Sequence, residues 1–184
     1  NQMKTLQHNT HVYLYFVIAL LFLSCEKETP EIIEEQELIT TVELQFQTTD
    51  EPNQVIRWQV NQSTPEAVTL KLNTDYEVSI AFYDESDPGE VEDITEEVRE
   101  EADEHQVFYE FSSVDISFTS GDNDTLDSNG NPIFLQTVWN ANATGTGIFK
   151  AYLIHEPTSR NGDVRSDFGG ETDVAIEIPI TVIE

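Results

Sequence analysis

The chain has 184 residues, of which 36 are acidic and 8 are lysine or arginine, so its formal net charge at pH 7 is −28. A surface of this charge repels nucleic acid and anionic lipid headgroups, which excludes a nucleic-acid-binding function, and it favours cations or a basic protein face as partners. Solubility in a salty habitat is the alternative explanation of the charge. The single cysteine, Cys25, excludes an intrachain disulfide framework.

The N-terminal residues have the pattern of a secretory signal. Lys4 supplies a positive charge, and residues 12–23 form an apolar run that is shorter than the roughly 20 residues a membrane-spanning helix needs. Ser24 and Cys25 follow directly, and a lone cysteine at this place resembles the lipobox of bacterial lipoproteins. We predict a lipoprotein signal peptide over residues 1–24 and lipidation of Cys25. The alternatives are a plain signal peptide that includes a cysteine and an uncleaved anchor.

Residues 25–37 are acidic and lack an alternating pattern, which predicts a flexible tether between the lipid and a folded domain. Lys27 and Glu28 follow Cys25 closely, and they look like the charged export signal with which Bacteroidota lipoproteins reach the cell surface. The remaining residues, 38–184, have a size typical of one domain. We therefore predict a single folded domain over that range.

Apolar and polar residues alternate through most of this predicted domain. The first run places Val42, Leu44 and Phe46 on one face, and about seven further runs follow, separated by turn residues. Strict alternation means that one face of each strand is buried and the other faces water, as in antiparallel sheets. The pattern predicts an all-β fold, an antiparallel, Ig-like β-sandwich of about eight strands.

The acidic segment 93–105 is the exception, because its apolar residues recur at helical spacing. Asp93 and Glu96 have the pattern of a capping box at its start. The inner stripe of the predicted helix is formed by Ile94, Val98 and Ala102, with His105 on the same stripe. We hypothesise that the outer face docks a basic partner, the alternative being a solvated connector. This acidic face comprises Glu96, Glu97, Glu100, Asp103 and Glu104.

The histidines offer a candidate metal site. Two of the four belong to the predicted signal peptide, which leaves His105 and His155 in the mature chain. Glu101 stands one helical turn before His105, and catalytic zinc sites typically take three protein ligands of these types. We hypothesise a zinc site made by His105, His155 and Glu101. The alternative is that each histidine is a hydrogen-bonded packing residue.

A second candidate metal site lies in the polar stretch 121–131. Its oxygen ligands suit calcium, and they are Asp122, Asp124, Asp127 and Asn129. The alternative is a β-hairpin connection, because Asn129 and Gly130 form a strong turn signal between alternating strands. No other cofactor is expected.

Several stretches together resemble a group of Bacteroidota lipoproteins of similar length. These stretches are the lipobox, ELITTVEL, DITEEVREEADEHQVFY, DSNGNPIFLQTVW, AYLIHEP and GGETDVAIEIPITV. The group carries the label "type 1 periplasmic binding fold superfamily protein" and is associated with TonB-dependent outer-membrane receptors. The resemblance implies a location in the cell envelope and an accessory role in uptake, and it assigns no site residues. The alternating pattern predicts a sandwich rather than the two α/β lobes that the label describes.

The sequence therefore predicts a non-enzymatic outer-membrane lipoprotein, facing the periplasm or the cell surface, that assists a TonB-dependent uptake system. Its partners are the membrane, through the lipid, and a receptor or other basic protein face. One alternative is a metal-binding lipoprotein that uses His105 and His155. Another is a carbohydrate-binding module or carbohydrate-active enzyme, in which exposed Trp58 or Trp139 would form the platform.

The predicted anchor has a direct test. Replacing the acylated residue, Cys25→Ala, is expected to release the protein from the membrane fraction or leave it unprocessed, because acyl chains supply the membrane affinity. The measurement is fractionation of wild-type and variant cells followed by detection of the protein. A processed variant that remains with the membranes would contradict lipidation.

Overall fold

The computed structural model describes residues 37–62 and 65–184. The predicted signal peptide, Cys25 and the predicted tether up to residue 36 lie outside the described residues. Within the described ranges, no helix is long and apolar enough to cross a membrane.

The described chain is built almost entirely from strands. The strands are β1 (Thr41–Gln47), β2 (Gln54–Gln59), β3 (Val68–Lys71), β4 (Asp75–Asp87), β5 (Glu90–Asp93), β6 (His105–Ser112), β7 (Ile116–Ser120), β8 (Gln136–Ala141), β9 (Gly145–His155) and β10 (Glu171–Ile183). The helix α1 spans Ile94–Glu100, and a 3-10 turn spans Arg165–Asp167. The predicted all-β sandwich with one short acidic helix is confirmed, with ten strands rather than about eight.

Two strands gave no alternating signal. The four residues of β5 are all exposed, so it has no buried face to mark it. The first five residues of β6 are all buried, so its two faces do not differ in polarity. Alternation predicts a strand only where one face is buried and the other is wet.

The strands form two sheets. The first has the order β2-β1-β4-β8-β7, with β5 pairing against the far end of β4. The second has the order β3-β10-β9-β6, and its one parallel pair joins β3 to β10. The remaining pairs of both sheets are antiparallel.

Trp139 packs at the interface between the two sheets. It is fully buried on β8 in the first sheet, and three aromatic rings of the second sheet meet it edge-on. These are Tyr109, Phe111 and Phe149, with ring centroids 5.0, 4.9 and 5.1 Å away. Each such pair contributes about 0.5–1.5 kcal/mol beyond its buried area. Trp139 is therefore a core residue and offers no surface platform, while Trp58 is half-buried and packs against the same core.

The helix is shorter than the predicted segment 93–105. Asp93 caps it as predicted, with its carboxylate accepting the N–H of Thr95 at 3.0 Å. The helix ends at Glu100 because a tight turn follows, closed by the Glu104 N–H donating to the Glu101 carbonyl at 2.8 Å. The inner stripe of Ile94, Val98 and Ala102 is buried in the main core, as predicted.

Thr95 fastens the helix to the first sheet. On the side of β4 away from β1, strand β8 pairs with residues up to Ser79, and β5 pairs from Tyr83 onward. Phe82 lies in the gap, where the buried Thr95 hydroxyl accepts its N–H at 2.9 Å and donates to its carbonyl at 3.2 Å. One side chain thus replaces a missing strand partner.

The variant Thr95→Val tests this contact. It keeps the side-chain shape but leaves the Phe82 N–H and carbonyl without partners, at about 1–3 kcal/mol for each buried group. Thr95→Ser is the matched control, because it keeps the hydroxyl and loses one methyl group, about 0.8 kcal/mol. Urea unfolding is expected to rank stability as wild type, then Ser, then Val. A valine variant as stable as the serine variant would contradict the role of the hydroxyl.

Candidate metal centre

His105 and His155 come together at one end of the sandwich. His105 is the first residue of β6 and lies directly opposite His155, the last residue of β9. Their rings are stacked, with centroids 5.0 Å apart and planes 9° from parallel. The sequence hypothesis placed both histidines in one zinc site. Their contact in the structure comes from the register of two strands that are distant in sequence.

The two histidines do not point at a common space. The His105 Nε2 atom faces Glu37 Oε1 at 3.2 Å and Asp173 Oδ2 at 3.9 Å. The His155 Nε2 atom lies 3.8 Å from a Glu104 carboxylate oxygen at the surface. Of the predicted zinc ligands only His105 belongs to the buried group, whose other members are Glu37 and Asp173. Glu101 meets the His105 ring through its backbone carbonyl.

Three distant parts of the chain supply this group, which we call the inner centre: Glu37, His105 and Asp173. Glu37 precedes β1, His105 follows the turn after α1, and Asp173 lies in the last strand. Each offers one ligand atom, and these atoms lie within 4.8 Å of one another. The side chains of His105 and Asp173 are 0 % exposed and that of Glu37 is 6 % exposed, so the group is buried.

A β-bulge brings Asp173 into the inner centre. The pairing of β10 with β9 shifts register between Thr172 and Val174, so Asp173 is the extra residue. A bulge re-aims a side chain, and bulges are over-represented next to functional sites. Without the shift, alternation would place Asp173 on the opposite face of the strand from Val174, which is buried in the core.

The neutral form of His105 would present a lone pair to the carboxylates. Its Nδ1 atom lies 3.2 Å from the Glu101 backbone carbonyl, and a carbonyl only accepts, so Nδ1 carries a proton. In the neutral ring Nε2 is then unprotonated. Nε2 is buried and makes no hydrogen bond. A backbone carbonyl on one ring nitrogen and a free lone pair on the other is the usual arrangement of a metal-binding histidine.

The charge of the inner centre favours a divalent cation. With a neutral imidazole, the ionised carboxylates of Glu37 and Asp173 place two negative charges in one buried group, and buried negative charge is unfavourable unless it is compensated. Protonation of His105 would offset one of them. A divalent cation offsets both.

Glu37 and Asp173 have no local signal in the sequence. Glu37 closes an acidic run that reads as a tether, and Asp173 closes a polar, glycine-rich stretch that reads as a surface loop. The residues just before Asp173 are polar, so the alternation of apolar and polar residues does not extend across the bulge. The bulge therefore leaves no visible interruption in the sequence pattern. Only the tertiary structure joins them to His105.

Two of the four predicted calcium ligands, Asp124 and Asp127, accept hydrogen bonds from other residues of the protein. Asp124 accepts the backbone N–H groups of Thr125, Phe134 and Gln136. Asp127 accepts both N–H groups of Asn131, from its backbone and its side chain. These contacts favour the alternative of a structural connection. Asp122 is exposed, and Asn129 donates its backbone N–H to Asp127.

Asp127 also anchors Arg160, which supports the turn carrying His105. The Arg160 Nε atom lies 3.0 Å from the Asp127 carboxylate. Its terminal nitrogens donate to the carbonyls of Ala102, Asp103 and His105 at 2.7–2.9 Å. Arg160 therefore holds the segment between α1 and β6 in place.

The predicted docking face of α1 is exposed. Glu96, Glu97, Glu100, Asp103 and Glu104 all face solvent, as expected. Asp103 accepts the Ser128 backbone N–H at 2.8 Å, so part of its charge serves the fold. Docking of a basic partner stays a prediction.

Asp127 makes stability depend on pH. Its hydrogen bond from the Asn131 side chain is the largest cause that lowers its pKa, and backbone N–H groups and Arg160 add to the effect against partial burial. A carboxyl whose pKa is lowered on folding stabilises the fold above its unfolded pKa of about 3.9, and this contribution is lost as pH falls through the folded pKa.

Asp127→Asn is therefore expected to destabilise the protein at pH 7 and to lose that effect progressively as pH falls below about 4 and through the lowered pKa of folded Asp127. The measurement is urea unfolding of wild type and variant across this range. Asp122→Asn, which removes an exposed charge from the same stretch, is expected to change little at any pH. An equal effect of Asp127→Asn at every pH would contradict the linkage.

Comparison of the chain with protein-family models, with curated proteins and with solved structures found no match to any of them. The geometry of the inner centre is therefore the basis on which a function is proposed.

Proposed function

We propose that this chain is a divalent-metal-binding lipoprotein of the bacterial cell envelope, with zinc bound by Glu37, His105 and Asp173. The observation that carries the proposal is the buried His105 Nε2 atom, which makes no hydrogen bond and faces two buried carboxylates. The lipobox at Cys25 and the resemblance to envelope lipoproteins support the location. The negative surface supports the ligand, because it raises the local concentration of cations.

The spacing of the ligand atoms suits a small tetrahedral ion. Nitrogen and oxygen ligands bind zinc at about 2.0–2.1 Å, so two of them lie roughly 3.3 Å apart. The separations of 3.2 and 3.9 Å from His105 Nε2 are close to this value. A mixed set of one imidazole and two carboxylates suits zinc better than calcium, which takes oxygen ligands.

Burial of the inner centre supports binding rather than catalysis. Four surface cavities of the described residues are lined by other side chains, and a catalytic zinc needs an open position that a substrate can reach. We propose that the protein holds a metal ion for an uptake system, with a TonB-dependent receptor as the partner implied by the resemblance. A carbohydrate platform gains no support, since Trp139 is in the core.

The proposal predicts that zinc binds the metal-free protein with an affinity that depends on His105. After treatment with a chelator, calorimetric titration with zinc is expected to show that His105→Asn weakens binding by at least about 100-fold, because even supporting groups of a metal site are worth 10–100-fold. Asp173→Asn, which keeps the size of the side chain, is expected to act in the same direction. Wild-type protein that binds no zinc would contradict the proposal.

His155→Phe is the matched control. It keeps a ring stacked on His105 and removes the ring nitrogens, which lie outside the inner centre, so zinc affinity is expected to remain near that of wild type. Bound zinc is also expected to stabilise the wild-type fold, by about 2.7 kcal/mol when free zinc is 100 times the dissociation constant. Loss of binding in His155→Phe with unchanged binding in His105→Asn would overturn the ligand assignment.

A further inference from the structure

A second cluster of carboxylates adjoins the inner centre on its solvent side. Glu97 and Glu101 are four residues apart at the end of α1, and they lie on the same face. Glu37, Glu97 and Glu101 each offer an oxygen, and these oxygens lie within 4.8 Å of one another. Glu97 and Glu101 are exposed whereas the Glu37 side chain is buried, so the two helical carboxylates stand between water and Glu37.

Glu37 belongs to both clusters, and one of its carboxylate oxygens makes no hydrogen bond. Its Oε1 atom faces His105 Nε2 at 3.2 Å. Its Oε2 atom is buried and has no hydrogen-bond partner. A carboxylate with one oxygen engaged and the other free is the group that bridges the two ions of a two-metal site, in which the ions stand about 3.5–4 Å apart.

Among the residues that the structure describes, no lysine or arginine forms a salt bridge with Glu37, Glu97 or Glu101. Arg99, the basic residue of α1, pairs with Glu96 at 2.7 Å instead. The oxygens of Glu37, Glu97 and Glu101 lie within 4.8 Å of one another. Carboxylates this close repel one another when ionised, and a cation among them would relieve the repulsion.

We propose that Glu97 and Glu101 hold a second divalent cation, bridged to the first through the carboxylate of Glu37. This inference rests on the proposed function, because the first cation is the one in the inner centre. The outer position has only oxygen ligands from the protein and is open to water, which suits a hard ion such as Mn²⁺. The inner position adds the imidazole of His105.

The number of bound ions tests the proposal. Native mass spectrometry of the metal-free protein titrated with Mn²⁺ is expected to show two ions per chain in the wild type. The double variant Glu97→Gln and Glu101→Gln is expected to bind one, because the inner ligands remain. Electron paramagnetic resonance should then change from a broad, spin-coupled spectrum in the wild type to the six-line spectrum of an isolated Mn²⁺ ion in the variant.

Glu96→Gln together with Glu100→Gln is the matched control. These acids have the same spacing on the same helix and are exposed, so the change in net charge is identical, and the control is expected to keep two ions and the coupled spectrum. Loss of an ion from this control as well would reduce the effect to general charge and overturn the outer site.

The outcomes separate the two claims. One ion per wild-type chain, lost in His105→Asn, would overturn the outer site and leave the proposed function standing. No bound ion in the wild type, with either Mn²⁺ or zinc, would overturn both.

Discussion

Two carboxylates and an imidazole are buried together at one end of the sandwich, and three irregular features of the fold bring them into contact. The bulge in β10 allows the Asp173 side chain to enter the inner centre. The helix is short because the chain has to turn and start β6 at His105. The Glu101 carbonyl orients the imidazole so that its Nε2 atom faces the carboxylates. Under the proposed function, these features together position the ligands of one cation.

The two sheets and the loops hold this end rigid. Trp139 fixes the spacing of the sheets through its edge-on contacts. Thr95 joins α1 to β4, and Arg160 joins the following turn to Asp127. The stretch predicted as a calcium loop thus contributes to the inner centre indirectly, because its acidic residue orients an arginine that supports the backbone of His105. Ligands held by packed neighbours bind a metal with less loss of freedom than ligands on a loose loop.

The sequence predicted those parts of the structure that depend on local pattern. Alternation identified the strands with one wet face, and helical spacing identified α1 and its buried stripe. Alternation missed β5, which is exposed throughout, whereas the residues QVFYEF after the helix indicate a strand at β6 although that strand is buried on both faces at its start. The sequence predicted the inner centre only in part. His105 is rare enough to be noticed, but Glu37 is one acid among 36, and its partners are chosen by long-range pairing that leaves no trace in local spacing.

The central claim is that a metal ion occupies the space between His105 Nε2 and the two buried carboxylates. The most direct test is diffraction from zinc-soaked crystals of the protein, with data collected on both sides of the zinc absorption edge. The account predicts an anomalous peak within about 2.0–2.2 Å of Glu37, His105 and Asp173. A peak elsewhere on the chain, or an inner centre that holds no zinc and keeps a protonated His105 bonded to a carboxylate, would contradict it.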